Sequence, residues 1–569
     1  MSTMSLEKVT NIGHSLTETA ARMPDAIAVA CPSKGQPKKL VAGSKFKYDQ
    51  ISFGELEKRS NQIANGVDQM GIKPGTRLAL MVPPGIDFVA NVFGLFKAGV
   101  VVILIDPGMG KKNMIQCLAD AKPMGLVGIR KAHLARNLYR RKLAGCKKNI
   151  AVGGFFPGCR NQAHFYKLSQ TFEPKNIQRE DPAAIIFTTG STGPPKGVLY
   201  RHRVFIEQYE QIRDYFQIEP GTIDVSGFPL FALFNTAMGA TTVFPEMDPT
   251  RPAEVYPPNI IDAANQFKAT QSFGSPALWN TVSSYCEKHS VKLPTIKRIL
   301  SAGAPVPATV LGRMKGIIAD DGDAFTPYGA TEALPVACSS ASVVLNETGA
   351  RTDQGAGVCV GNRFPKMEWR VIKISDSPIS SIDDVEYVEQ GEVGELMVKG
   401  PSVTRQYVTR TEANADHKVA DGEEFWHRMG DVGYLDEQDR FWFCGRKSHR
   451  VLAEHGTMFT VPCEAIVNTH PRVYRSALVG LGKAGSQESA LVVEPLPEFW
   501  PDDKDSKQKL VDEVREICNQ NWQTNRIDHV LLKETLPVDI RHNSKIFREQ
   551  LRDWVMPLIA KPVVLRRKE

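Results

Sequence analysis

The sequence predicts an α/β protein: doubly wound parallel sheets in a large N-terminal domain, a β-rich subdomain behind them, and a small α+β unit at the C-terminal end. Three observations carry this. Helical periodicity and continuous apolar strands alternate between residues 45 and 130, the pattern of a parallel sheet covered on both faces. From about Gly361 the strands shorten and read as antiparallel. Past Gly445-Arg-Lys-Ser-His-Arg450 a separate α+β pattern runs to about Ile559. A chain of 569 residues exceeds one hydrophobic core, so several domains are expected. Their boundaries fall at 1–447 and 448–569, with the β-rich subdomain at about 361–447.

Composition narrows the class. A hydrophobic fraction of 42% with 23% charged residues is that of a globular protein. The net charge of +7 is mild at this length; it does not point to nucleic acid and suits an anionic substrate. Ten cysteines without a C-x-x-C pair or regular spacing indicate neither a disulfide framework nor a zinc site, and favour a reducing compartment. Met1 to His14 carries Glu7 and Lys8 and no apolar run, so no secretory signal is expected. The longest apolar run, Ala98 to Ile105, is too short to cross a bilayer. A cytoplasmic protein without a transmembrane segment is expected.

The elements follow in order. Phe53 to Val67 places Leu56, Ser60, Ile63, Ala64 and Val67 on one helical face, with Ser52 as N-cap. Gly75 to Val82 is a short strand and Phe88 to Ala98 a helix. Val100 to Ile105 is a buried strand stopped by Asp106-Pro107. Residues 130–148 hold eight basic side chains and no acidic one, with Leu134, Leu138 and Tyr139 on one side of a helix. A solvated basic face is the ordinary account of such a run. A docking surface for a partner or an anionic membrane is the other.

Ala184-Ile-Ile-Phe187 reads as a buried strand leading into Thr188-Thr-Gly-Ser-Thr-Gly-Pro-Pro-Lys196. Gly190 and Gly193 tolerate positive φ, so successive backbone N–H groups can converge on an anion. The hydroxyls of Thr188, Thr189, Ser191 and Thr192 add donors, and Lys196 adds a mobile charge. The set suits a polyphosphate. It is not a P-loop, because Lys196 follows Gly193 by three residues and Gly197 stands where a metal-binding hydroxyl would be needed.

Beyond it, Val204 to Phe216 is a helix, and Phe228-Pro-Leu-Phe-Ala-Leu-Phe-Asn-Thr236 follows a strand. Gln271 to Pro276 and Ile299 to Pro305 are strand-to-loop transitions, where open α/β sheets bind ligands. Thr326-Pro-Tyr-Gly-Ala-Thr-Glu332, taken alone, reads as a turn entering a capped helix. Met429-Gly-Asp-Val-Gly-Tyr-Leu-Asp436 lies among the antiparallel strands, and His542-Asn-Ser-Lys-Ile-Phe-Arg548 near the end.

With these motifs in this order, nearly the whole chain resembles the adenylate-forming superfamily of acyl-CoA synthetases, peptide-synthetase adenylation domains and firefly luciferase. The resemblance implies a large N-terminal domain, a mobile C-terminal lid, and an active site between them that uses ATP and Mg²⁺. It implies that Thr188, Thr189, Gly190, Ser191, Thr192, Gly193 and Lys196 grip the β- and γ-phosphates. Gly303, Ala304 and Pro305 would line the adenine, with Tyr328 stacked on it and Gly329 in the same nucleotide set. Thr331 would sit at the α-phosphate, and Glu332, with Thr188, would hold Mg²⁺. Asp431 would accept from both ribose hydroxyls, with Arg446 near the sugar. Lys545 would be the catalytic lysine of the lid, although Asn543-Ser544 departs from the Ser-Gly or Thr-Gly usual before it.

Other departures are informative. Ala232 stands where acyl-CoA synthetases commonly have histidine, and the hinge after Gly445-Arg446 carries His449 instead of Asp or Lys. With Gly274-Ser-Pro-Ala-Leu-Trp279, Trp426-His-Arg-Met-Gly-Asp431 and His455 before Gly456, the chain is similar to the β-lactone synthetases of bacterial long-chain olefin biosynthesis. That resemblance implies a long-chain 2-alkyl-3-hydroxy acid as substrate and a place among other olefin-pathway enzymes in an assembly. Two long alkyl arms would need an apolar pocket, for which Phe231, Ala232, Phe234 and Trp279 are candidates. Ring closure needs a proton acceptor. His455, on the loop after the hinge, is one candidate base, since an unperturbed histidine titrates at ~6.5, and a surface histidine is the other account of it. A fatty acyl-CoA synthetase and a non-catalytic nucleotide-binding scaffold are the alternatives.

Overall fold

The apolar runs of the N-terminal half become strands of two large sheets. The computed structural model describes residues 10–41, 43–188, 194–539 and 545–559. A seven-stranded sheet runs in the order Arg160–Asn161, Ile150–Ala151, Gly125–Gly128, Arg77–Met81, Val101–Leu104, Pro182–Phe187, Gly197–Arg201. Its neighbours are parallel except for the last pair. Val101–Leu104 is buried at every position, as a continuous apolar strand covered on both faces should be. Helix Phe53–Gln69 starts where Ser52 accepts from the Glu55 N–H, and it buries the expected face.

The second sheet has 14 strands. Ile27–Pro32, Thr241–Val243, Ile223–Ser226, Gln271–Gly274, Arg298–Ser301 and Asp323–Ala330 are its parallel part. Ala333–Ser340, Val358–Arg363, Arg440–Arg446, Glu424–Leu435, Gly394–Lys399 and Glu368–Ile372 continue it antiparallel. The strands expected as a β-rich region after Gly361 are thus hydrogen-bonded into this same sheet, Cys338 pairing with Asn362. The Tyr328 motif also differs from the helix entry it suggested. Ala330 pairs with Ala333, so Thr331 and Glu332 form the turn of a β-hairpin. The edge of the parallel part is satisfied by the returning strand, not by a helix.

The large sheet ends at Arg446, and a short 3-10 turn, Lys447–His449, follows. After it Val451–Ala453 pairs with Gly456–Met458, and Val473–Leu481, Glu488–Pro495 and His529–Leu532 form a three-stranded sheet. A core of its own gathers Leu478, Leu491, Leu510 and Val514. Among the described residues, no helix is long and apolar enough to cross a membrane. All ten cysteines are free thiols.

Candidate active site

The C-terminal unit and the two sheets border one continuous cleft of about 2300 Å³. Thr188, Lys196, Gly303, Ala304, Pro305, Tyr328 and Gly329 line it. So do Thr331, Glu332, Asp431, Arg446, His449 and Lys545, from elements far apart in sequence. Thr189, Gly190, Ser191, Thr192 and Gly193 lie outside the described residues, as do Asn543 and Ser544. The neck of the Thr188–Lys196 loop is closed by two bonds. The Thr188 N–H donates to the Lys196 carbonyl at 3.0 Å, and the Lys196 N–H donates to Thr188 Oγ1 at 3.1 Å. Gly303, at φ 105°, adopts a conformation that side chains rarely allow, which explains glycine in the Ser-Ala-Gly-Ala-Pro loop.

At one end of the cleft the structure assembles a charged group that the motifs do not contain. Lys196 Nζ donates to His417 Nε2 at 2.9 Å and stands 4.8 Å from the centre of the Tyr407 ring. The Tyr407 hydroxyl donates to Glu332 Oε1 at 2.6 Å. One tyrosine therefore braces both the lysine and the carboxylate. The Thr404 N–H and hydroxyl donate to the Glu332 carbonyl at 2.8 and 3.0 Å, and Lys418 donates to the Thr404 carbonyl. The Tyr200 hydroxyl donates to the Thr331 carbonyl at 2.6 Å and fixes the hairpin turn.

Burial lowers the Lys196 ammonium against the pull of Glu332. It brings Lys418 down to about 7, again opposed by Glu332. Burial, and then Lys196, lower His417 to about 4. That imidazole is neutral at physiological pH and can accept from Lys196 while its Nδ1–H faces the Arg428 carbonyl at 3.2 Å. Tyr407, His417 and Lys418 escaped sequence reasoning because they carry no motif. Of the three, His417 lines the cleft, while Tyr407, bridged to Val198, and Lys418, paired opposite His427, stand behind it.

Asp431 and Arg446 face each other across paired strands. Arg446 Nη1 lies 2.8 Å from Asp431 Oδ1 as an ion pair, and the Tyr328 hydroxyl donates to Asp431 Oδ2 at 2.5 Å. Burial raises the Asp431 carboxyl, and Arg446 pulls it back. Both carboxylate oxygens are thus engaged, Oδ2 by Tyr328 and Oδ1 by the Arg446 guanidinium. Lys545 reaches the cleft from the other side, its carbonyl accepting from the Asp539 N–H at 2.8 Å.

Part of the cleft lining is aromatic. Phe231 and Phe234 contribute to it, with Phe228 and Leu233. Phe231 stacks on Phe273 at 4.3 Å. Two expected pocket residues do not reach it. Ala232 is fully buried on the core side of helix Phe231–Met238. Trp279 is fully buried in helix Pro276–Lys288, packed so closely on Gly274 that a Cβ there would stand 2.9 Å from its Nε1. Nor does the structure bring His455 to the cleft. It is exposed at the turn between Val451–Ala453 and Gly456–Met458, its Nε2 3.4 Å from the Arg526 carbonyl. His449, in the turn that joins the units, does line the cleft; burial, Arg548 and Arg446 lower its imidazole to about 3.

A sheet-end cleft with clustered cations, a braced carboxylate and a buried acceptor beside an arginine defines a nucleotide-dependent ligase. Residues 16–408 match the AMP-binding enzyme family; the chain belongs to it and is an adenylate-forming enzyme. Over 555 residues it is 41% identical to the olefin beta-lactone synthetase of Xanthomonas campestris pv. campestris, across 96% of this chain and 97% of that one. Identity to the olefin beta-lactone synthetase of Stenotrophomonas maltophilia is 40% over 565 residues, across 97% of this chain and 99% of that one. The crystal structure of the anthranilate CoA ligase AuaEII in complex with anthranoyl-AMP shares the fold, with a TM-score of 0.77 at 17% identity, covering 99% of this chain and 100% of that one.

Proposed function

We propose that the chain is an ATP-dependent β-lactone synthetase acting on a long-chain 2-alkyl-3-hydroxyalkanoic acid. The observation that carries this reading is a cleft lined by both aromatic and cationic side chains, in a chain similar over nearly its full length to two olefin beta-lactone synthetases. The polar end fits a nucleotide: the Asp431 carboxylate would accept from ribose hydroxyls, and Lys196 and Arg446, which line the cleft, would provide charge for a polyphosphate. Glu332 and Thr188 would hold Mg²⁺, which when bound would screen the phosphate oxygens from the attacking carboxylate.

Lys545 would orient the substrate carboxylate toward the α-phosphorus, since two anions meet only where cations hold them in line. A carboxylate oxygen bonds to the α-phosphorus as the bond to pyrophosphate breaks. The substrate's 3-hydroxyl oxygen then attacks the activated carbonyl carbon, AMP departs with the bonding pair, and the hydroxyl proton is released to solvent. No external thiol enters. The experiment is product analysis by mass spectrometry with ATP and a 3-hydroxy acid, with and without coenzyme A. Lactone and AMP in both arms are expected, and the 3-deoxy acid should stop at the adenylate. A thioester formed whenever coenzyme A is present would overturn the reading.

A further inference from the structure

The basic segment after Arg130 is unused by the chemistry above. Helix Arg130–Leu138 is anchored by its inner face: His133 Nε2 lies 3.0 Å from the Ile150 carbonyl, and Arg136 Nη1 donates to Cys159 Sγ at 3.5 Å. Its outer face carries Leu134 and Leu138, one turn apart and 60% and 77% exposed. The loop bound to its inner face carries Phe155, 68% exposed. Arg130, Lys131, Arg140, Arg141, Lys142 and Lys147, from the same segment of chain, are all exposed. The nearest carboxylates in sequence are Asp120 and Glu173, and among the described residues no ion pair engages these basic side chains.

The same helix borders the cleft. Lys131, Ala132, Ala135 and Tyr139 line it. Residues 131, 135 and 139 repeat at helical spacing on one face, and Leu134 and Leu138 occupy the adjoining one. We propose that this face docks on an anionic lipid surface, with Leu134 and Leu138 entering the headgroup layer and the arginines and lysines meeting lipid phosphates. A basic amphipathic helix binds membranes in this way, and the cytoplasmic leaflet supplies the complementary charge. A protein partner fits less well, because interface centres are depleted in charge while this exposed segment carries basic side chains and no carboxylate. The docking rests on this helix and the basic turn after it. Delivery of a long-chain acid from the bilayer into the cleft rests on the function proposed above.

The test is co-sedimentation of the full chain with vesicles of phosphatidylcholine alone, or of phosphatidylcholine with about a third phosphatidylglycerol. Binding to the anionic vesicles is expected at low salt, weakening as salt rises. Arg140→Ala/Arg141→Ala should lower that affinity about thirty-fold, at ~1 kcal/mol per basic residue near the surface. Leu134→Asp/Leu138→Asp should lower it at least about ten-fold. That variant should keep wild-type pyrophosphate release with a short, water-soluble 3-hydroxy acid and lose it with a long acid presented in anionic vesicles. Wild-type protein left in the supernatant, equal binding to neutral vesicles, or unchanged binding by the leucine variant would each overturn the proposal. So would self-association that the leucine variant abolishes, without vesicle binding, since the face would then belong to a second copy. Absence of pyrophosphate release from wild type with any acid would sink the proposed function and leave the sedimentation result to stand.

Discussion

Replacing Asp431 by Asn tests the nucleotide reading most directly. The carboxylate is buried, holds the Tyr328 hydroxyl at 2.5 Å on Oδ2 and faces Arg446 at 2.8 Å on Oδ1. Asn keeps the shape and one acceptor but loses the charge and turns an NH₂ toward a donor. In the free protein some stability is lost, because the Asp431 side chain is only 6% exposed, although Arg446 is 33% exposed and keeps its bond to the Met429 carbonyl at 3.0 Å. In the complex the loss is larger. A ribose hydroxyl would no longer meet a carboxylate, and hydrogen bonds to charged groups contribute about 1.5–3 kcal/mol. ATP affinity of the folded variant should therefore fall roughly ten- to 150-fold. Calorimetric titration of the folded variant is the assay. ATP affinity within about twofold of wild type would refute the ribose assignment, because it would put the effect below ~0.5 kcal/mol.

Lys545→Ala should slow acid-dependent pyrophosphate release about 100- to 1000-fold with ATP affinity nearly kept, as loss of one preorganised charge does; unchanged release would remove it from the mechanism. His455→Ala should leave lactone formation at the wild-type rate, since that imidazole is exposed and outside the cleft; a slow variant would show that the C-terminal unit brings it in during turnover. Trp279→Ala should cost about 3–5 kcal/mol of stability in denaturant melts without altering substrate chain-length preference, because the ring fills core and not pocket. Acid should destabilise the fold. Burial lowers His202 to about 3, below the ~6.5 of an unfolded histidine, so the unfolded chain takes up the extra proton first. Stability from this residue is complete above about pH 6.5 and declines as pH falls toward its folded value, by up to ~2 kcal/mol at pH 5; a flat urea midpoint across that range would contradict it.

The sequence by itself determined what depends on neighbours along the chain. Alternating periodicity placed the parallel strands and the Ser52-capped helix, and local order marked Thr188–Lys196, Gly303–Pro305, Tyr328–Glu332 and Asp431 as candidates, because turns, caps and strand ends are written in consecutive residues. The tertiary structure decided what depends on which side chains meet. Tyr407 reaches Glu332 across 75 residues, and His417 reaches Lys196 across 221, contacts made by sheet pairing and loop closure without a local signature. Burial separated residues that look alike in sequence: Phe231 and Phe234 border the cleft, whereas Ala232 and Trp279 belong to the core. It also set the charge states, since the same imidazole is driven neutral at His417 by burial and a neighbouring ammonium. A side chain's type is local, but its solvent and its partners are properties of the whole fold, and the chemistry of this cleft depends on both.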